Sequence, residues 1–208
     1  SNPVNDNLME LMFLADFVKR SGGVTIMAII PYFGYSRNEA GAALIANLLT
    51  TAGVDQIITI DLHSKQGATN IKNLSPIPLF IPFLKKKYVV VSPDTGSIPR
   101  SKTLAEVIHS DLVIMRKVRN AGECIILEML GDVFNRDCII VDDIVDTGDT
   151  LCQAALFLRN KGAKSISACV THGVFSGDCL KKIEDIGLLE FYITDSINHH
   201  QLPSFINI

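Results

Sequence analysis

The stretch Cys138-Ile139-Ile140-Val141-Asp142-Asp143-Ile144-Val145-Asp146-Thr147-Gly148-Asp149-Thr150-Leu151 decides how the rest of the chain is read. Cys138 to Val141 is an apolar run of strand length, which reads as a strand buried in a parallel sheet. Two adjacent carboxylates, Asp142 and Asp143, sit where that strand is expected to end. Gly148 supplies a turn; a helix is then expected to open near Thr150, run through Leu151 to Leu158 and stop at Gly162. Open α/β sheets bind ligands outside the carboxyl ends of their strands, so a site belongs at this junction.

The residues of the junction define what it can hold. Backbone N–H groups of Thr147, Gly148, Asp149 and Thr150 face outward at a helix start, where the helix dipole favours an anion. The hydroxyls of Thr147 and Thr150 add donors suited to phosphate oxygens. Asp142 and Asp143 would repel a phosphate. They suit a sugar instead, accepting hydrogen bonds from vicinal hydroxyls, as on a ribose, or they help to hold Mg²⁺. The stretch therefore predicts a ribose 5-phosphate with its ring over the acids. An ordinary turn with solvated acids is the plain alternative.

At 208 residues the chain is long enough for one large domain or two small ones. Charged residues make up 20% and hydrophobic ones 48%, an ordinary globular balance. A net charge of -3 gives no basic footprint for nucleic acid. No apolar run approaches the roughly 18 residues of a membrane span, and no signal peptide precedes the first helix, so a cytoplasmic protein is expected. The five cysteines have no C-x-x-C spacing and are expected to be buried reduced thiols.

Along the chain, Asn5 or Asn7 is expected to cap a helix with Leu8, Leu11, Met12, Ala15 and Val18 on its apolar face. Val24 to Ile30, Gln56 to Ile60, Tyr88 to Val91, Leu112 to Met115, Cys124 to Met129, Ser165 to Val170 and Phe191 to Ile193 read as strands. Helices are expected at about 40–52 and 100–110, with a short one near 179–183. This alternation predicts an α/β fold with a parallel sheet. Between Ser64 and Pro82 the pattern weakens under Gly67, Asn70, Asn73, Pro76, Pro78 and Pro82, placing a boundary between units at 1–77 and 78–208. Arg116 to Arg119 reads as a basic loop, and the tail after Asp195 has little periodicity.

Val141 to Leu151 resembles the ribose-phosphate-binding signature of the phosphoribosyltransferase fold. The surrounding sequence resembles the ribose-phosphate pyrophosphokinase family in particular. That likeness rests on Asn5-Asp6-Asn7-Leu8-Met9-Glu10-Leu11, Ile30 to Arg37, Asp61-Leu62-His63, Val91-Ser92-Pro93-Asp94, Gly131-Asp132-Val133 and Thr171 to Gly177, all in order. It implies two similar phosphoribosyltransferase-like units, parallel sheets flanked by helices, with the first unit incomplete. It also implies transfer of diphosphate from ATP to ribose 5-phosphate with Mg²⁺, in a homo-oligomer that uses neither nucleic acid nor membrane.

The resemblance assigns Asp142, Asp143, Asp146, Thr147, Gly148, Asp149 and Thr150 to ribose 5-phosphate. It places Arg37, Asn38 and His63 on ATP, and His63 and Asp94 on the metal. Read alone, Asp94 fits a helix-capping acid equally well, and Arg37 fits a surface position. Arg116 and Lys117 are expected to neutralise charge developing on the transferred group. Several positions depart from the family pattern. Arg116 falls where a lysine is usual, Val118 replaces an arginine, Asn38 replaces glutamine, and Asp149 replaces glycine. An N-terminal stretch and a C-terminal helix of the family are expected to be absent. Two other readings keep the same cradle: a non-catalytic or regulatory homologue, and a phosphoribosyltransferase that consumes the product, PRPP.

Overall fold

The computed structural model describes residues 3–63, 70–119 and 125–208, with backbone alone at 117–119 and 125–127. They form two compact units, Ser1–Ser75 with Ser196–Asn198, and Pro76–Asp195 with His199–Ile208.

In the first unit, α1 (Val4–Arg20) is followed by β1 (Met27–Ile29), α2 (Glu39–Thr51), β2 (Gln56–Ile60) and β3 (Ile71–Leu74). The strands form a parallel sheet in the order β1-β2-β3. Ala15 of α1, Ala42, Ala46 and Leu49 of α2, and Ala28 and Ile57 of the sheet share one buried cluster. The small residues let the helices approach the strands closely. Asn5 and Asn7 lie inside α1, whose N-cap is Pro3, so neither caps it. The pyrrolidine, which lacks an N–H, stands where the helix would leave one unpaired. β1 is shorter than the Val24–Ile30 expected, since Val24 is exposed and outside the strand. β3 was hidden in sequence by its polar Lys72 and Asn73; its partner β2 fixes it, pairing Ile57 with Ile71 and Ile60 with Leu74.

The second unit contains α3 (Ile77–Phe80), β4 (Val89–Ser92), α4 (Ile98–Val107), β5 (Leu112–Arg119), β6 (Ile125–Leu130) and β7 (Asp137–Val145). It continues with α5 (Asp149–Asn160), β8 (Ser165–Gly173), α6 (Cys179–Ile186), β9 (Phe191–Ile193) and β10 (Ile206–Asn207). Its seven strands run in the order β10-β9-β8-β7-β4-β5-β6, parallel except for the antiparallel β5–β6 pair. Alternate residues of the central strands supply two separate cores. Val89, Val91 and Ile140 pack with Leu151, Ala154, Ala155 and Leu158 of α5 and Ile183 of α6. Val90, Ile139 and Val141 pack with Phe80 of α3 and Leu104 and Ala105 of α4 on the other face. The near-continuous apolar runs of β4 and β7 follow from this two-sided burial.

Three expectations need correction here. The segment from Arg116 to Arg119 is strand, not loop, because β6 pairs with it residue by residue from Ile114 opposite Leu130 to Arg119 opposite Ile125. β7 does not stop at Val141 but carries the acid pair within it, since the long β8 keeps pairing as far as Val145 opposite Gly173. The aperiodic tail returns to the sheet as β10 beside β9, where Ile206 is buried in the core and Leu202 and Phe205 pack against it.

Candidate ribose-phosphate site

The strand order of the second unit reverses between β4 and β7. From β4 the chain moves outward to β5 and β6; from β7 it moves outward the other way to β8, β9 and β10. The helices follow, α4 on one face and α5 with α6 on the other. Such a switch point leaves a crevice at the carboxyl ends of the two central strands, where neighbouring connections diverge. Asp94 follows β4 there, and Asp142 and Asp143 lie in the second half of β7.

The acids are held from several sides. The Ser97 hydroxyl donates to Asp142 Oδ1 at 2.6 Å, and the Asp143 amide donates to the same oxygen at 2.9 Å. The Ser97 amide donates to Asp94 Oδ1 at 3.0 Å within the turn before α4, whose N-cap is Ser97 and not Asp94, so Asp94 is not the capping acid that its sequence position also allowed. The guanidinium of Arg100 lies 3.8 Å from Asp142 Oδ1 and 3.5 Å from Asp143 Oδ1, with about a tenth of its side chain exposed (11%). Burial and the neighbouring Asp143 push the Asp142 carboxyl well above the usual carboxylate range, while the Ser97 hydroxyl works against that rise. Ser97 and Arg100 are site residues that sequence reasoning passed over. Their signal was position, one just before and one inside the first turn of the helix that leaves Asp94.

Past β7, Asp146 and Thr147 lead to Gly148, the N-cap of α5, at φ 80. A side chain there would adopt a disfavoured backbone, and its Cβ would stand 3.1 Å from Cys179 Sγ. The N-cap of α5 is a glycine and contributes no side-chain cap, and a helix start is the kind of place that favours an anion. The Thr147 hydroxyl donates to Asp149 Oδ2 at 2.8 Å, and Lys182 of α6 meets Asp149 Oδ1 at 3.0 Å. Lys182 is shared with Asp178, which also lies 3.0 Å away, so Asp149 is one of two carboxylates facing a single exposed ammonium. Thr150 is the second residue of α5.

The other expected site residues are dispersed. In the first unit, Arg37 and Asn38 follow β1 and His63 follows β2, at the carboxyl ends of two adjacent parallel strands. Arg37 is exposed, and the Asn38 side chain caps α2 by accepting from the Gly41 amide at 2.9 Å. Arg116 lies on β5, with its Nε donating to Glu128 Oε2 of β6 at 2.7 Å. The Lys117 side chain lies outside the described residues. Among the described residues no cluster of three or more His, Cys, Asp or Glu forms a ready metal cage.

Residues 82–201 match the model of the phosphoribosyl transferase domain, and residues 1–53 match that of the N-terminal domain of ribose phosphate pyrophosphokinase. A ribose-phosphate pyrophosphokinase of Brucella melitensis biotype 1 is 43% identical over 215 residues, covering 95% of this chain and 69% of that protein. One from Thermotoga maritima is 40% identical over 230 residues, covering 100% of this chain and 72% of its own length. The crystal structure of phosphoribosylpyrophosphate synthetase from Mycobacterium smegmatis superposes with a TM-score of 0.89 at 29% identity, covering 100% of this chain and 74% of that one. With two domain models in order and about two fifths of its residues shared along nearly its whole length, the chain belongs to the ribose-phosphate pyrophosphokinase family.

Proposed function

We propose that this chain makes PRPP by transferring the β,γ-diphosphoryl group of ATP to the anomeric hydroxyl of ribose 5-phosphate. The observation that carries the reading is the pairing, at one switch point, of an Arg-held acid pair with a helix start whose N-cap is a glycine, a few residues later. Asp142 and Asp143 would accept hydrogen bonds from the ribose hydroxyls. The amides of Gly148, Asp149 and Thr150, with the Thr150 hydroxyl, would grip the 5-phosphate; Asp146 and Thr147 complete the loop that shapes the cradle.

In the reaction the anomeric oxygen attacks the β-phosphorus and loses its proton. The bond from that phosphorus to the α,β-bridging oxygen breaks, and AMP leaves. Such transfers depend on positioning and on neutralising charge spread over the phosphoryl oxygens. Arg116 and Lys117 are assigned to the transferred group, and Arg37, Asn38 and His63 to ATP. Mg²⁺, when bound, neutralises phosphate charge; it is commonly held by one or two carboxylates plus substrate oxygens, so it needs no protein cage. Asp94 fits that role from the end of β4, and His63, in the first unit, is assigned to metal as well as to ATP.

The reading extends to a cytoplasmic homo-oligomer acting on small molecules, without nucleic acid or membrane. The free thiols of Cys138, Cys152, Cys169 and Cys179 support a reducing compartment. No helix among the described residues is long and apolar enough to cross a membrane. A non-catalytic homologue that only binds ribose phosphate is the second reading, favoured by the commitment of Arg116 to Glu128. Calorimetry with ribose 5-phosphate tests the shared site, and absence of binding at millimolar ligand would sink both readings. AMP release from ATP, ribose 5-phosphate and Mg²⁺ separates them: release supports the enzyme, and binding without release supports the homologue.

A further inference from the structure

Ser97 is 1% exposed, yet its two polar groups serve two different carboxylates. Its amide donates to Asp94 Oδ1 at 3.0 Å. Its hydroxyl lies 2.6 Å from Asp142 Oδ1 and 3.1 Å from Asp94 Oδ1, and it accepts from Arg100 Nη1 at 3.2 Å. A hydroxyl has a single proton to give. Because the amide already serves Asp94, and the Asp142 contact is the shorter, the proton belongs to Asp142. Together with the Asp143 amide at 2.9 Å, it fixes Asp142 Oδ1 from two directions and so sets the plane of the carboxylate. Arg100 orients the Ser97 oxygen and faces both acids, which closes the network.

We propose that Ser97 is a positioning residue for sugar recognition: it holds the Asp142 carboxylate in the one orientation that accepts from the vicinal hydroxyls of a ribose phosphate. This inference rests on the ribose-phosphate reading of the site and adds to it the origin of ribose-over-deoxyribose selectivity. Ser97 does not touch the phosphate, which belongs to the start of α5. Loss of its hydroxyl therefore weakens hydroxyl recognition and spares phosphate recognition.

The test is calorimetry on the full chain with three probes: ribose 5-phosphate, 2-deoxyribose 5-phosphate and inorganic phosphate. The unsubstituted chain is expected to prefer the ribose compound. Ser97→Ala is expected to lose about tenfold in affinity for ribose 5-phosphate, the scale of one hydrogen bond, less for 2-deoxyribose 5-phosphate, which keeps one of the two hydroxyls, and nothing for inorganic phosphate. The preference for ribose then narrows. Circular dichroism melting checks the fold, and Ser97→Gly removes the same hydroxyl with less bulk if the alanine variant does not fold. An unchanged preference in the folded variant overturns the inference while leaving the site reading intact. Equal loss for all three probes overturns it as well, by showing a general structural role. Failure of the unsubstituted chain to bind either sugar phosphate overturns the site reading, and the inference with it.

Discussion

The two units solve the same packing problem to different degrees. In the second, the central strands β4 and β7 are covered on both faces, by α5 and α6 on one side and by α3 and α4 on the other. In the first, the described residues form one cluster, on one face of a three-stranded sheet. On the opposite face Ile29 is 70% exposed and Met27 is 50% exposed, and the outer side of α1 presents Phe13 and Phe17 at 69% and 68%. Parallel sheets are ordinarily covered on both faces, and apolar patches of this kind mark surfaces that meet another polypeptide. The contrast shows where a precise site can be built. Buried charges need a rigid frame, and the acid pair sits in the unit that has one.

The sharpest way to break this contrast is to remove packing from each side. Leu158→Ala, at a fully buried position of α5, is expected to cost about 3 kcal/mol in denaturant unfolding. Phe13→Ala, on the exposed side of α1, is expected to change stability by less than about 0.5 kcal/mol and to improve solubility. Comparable losses from the two would end the distinction between a filled core and an open face.

Next in size is Arg100→Met. It leaves two adjacent carboxylates beside each other without their cation, and a cost of roughly 2–3 kcal/mol is expected, with partial recovery when Asp142→Asn is added. Strict additivity of the two changes would show that the guanidinium does not hold the pair.

Asp142→Asn alone is expected to weaken ribose 5-phosphate binding about tenfold by calorimetry while the fold is kept. It also carries a pH signature. The Asp142 carboxyl is raised in the folded state above its unfolded value, so its contribution to stability is fully present in acid. That contribution is lost as pH climbs from the ordinary carboxylate range through the raised value. Melting temperature of the parent chain should fall across that window more than that of Asp142→Asn; parallel curves would contradict the raised carboxyl.

Arg116→Ala is expected to have only a small effect on stability. Its partnership with Glu128 lies on exposed side chains and is worth less than about 1 kcal/mol. AMP release is expected to fall by far more than this change in stability, because a cation near the transferred group acts on the transition state. Unchanged release would move Arg116 out of the mechanism and leave it as a strand-pairing residue.

Much of the second unit was legible because its signals are local and redundant. The Cys138 to Val141 run, Gly148 and Gly162 each carry a conformational requirement of their own, and α5 begins and ends close to where they place it. What stayed hidden depended on partners distant in sequence. β3 exists because β2 offers an edge, and β10 because β9 does. The Arg116 segment looked like a loop because its charges mask a two-stranded ribbon whose pairing is made by backbone. The site followed the same rule. Asp142 and Asp143 announced themselves as neighbours, whereas Ser97 sits 45 residues away from Asp142 and acquires its meaning from the β4–β7 contact.

Gly148 and Asp149 stand side by side and have opposite freedom to vary. The glycine is boxed in by its own dihedral angle and by a sulfur atom of α6, so drift there is closed to every side chain. The aspartate side chain is exposed, and it meets the Thr147 hydroxyl and a lysine of α6 that Asp178 shares. The charge of this loop therefore sits on exposed side chains, while its shape stays locked by a single missing methyl group.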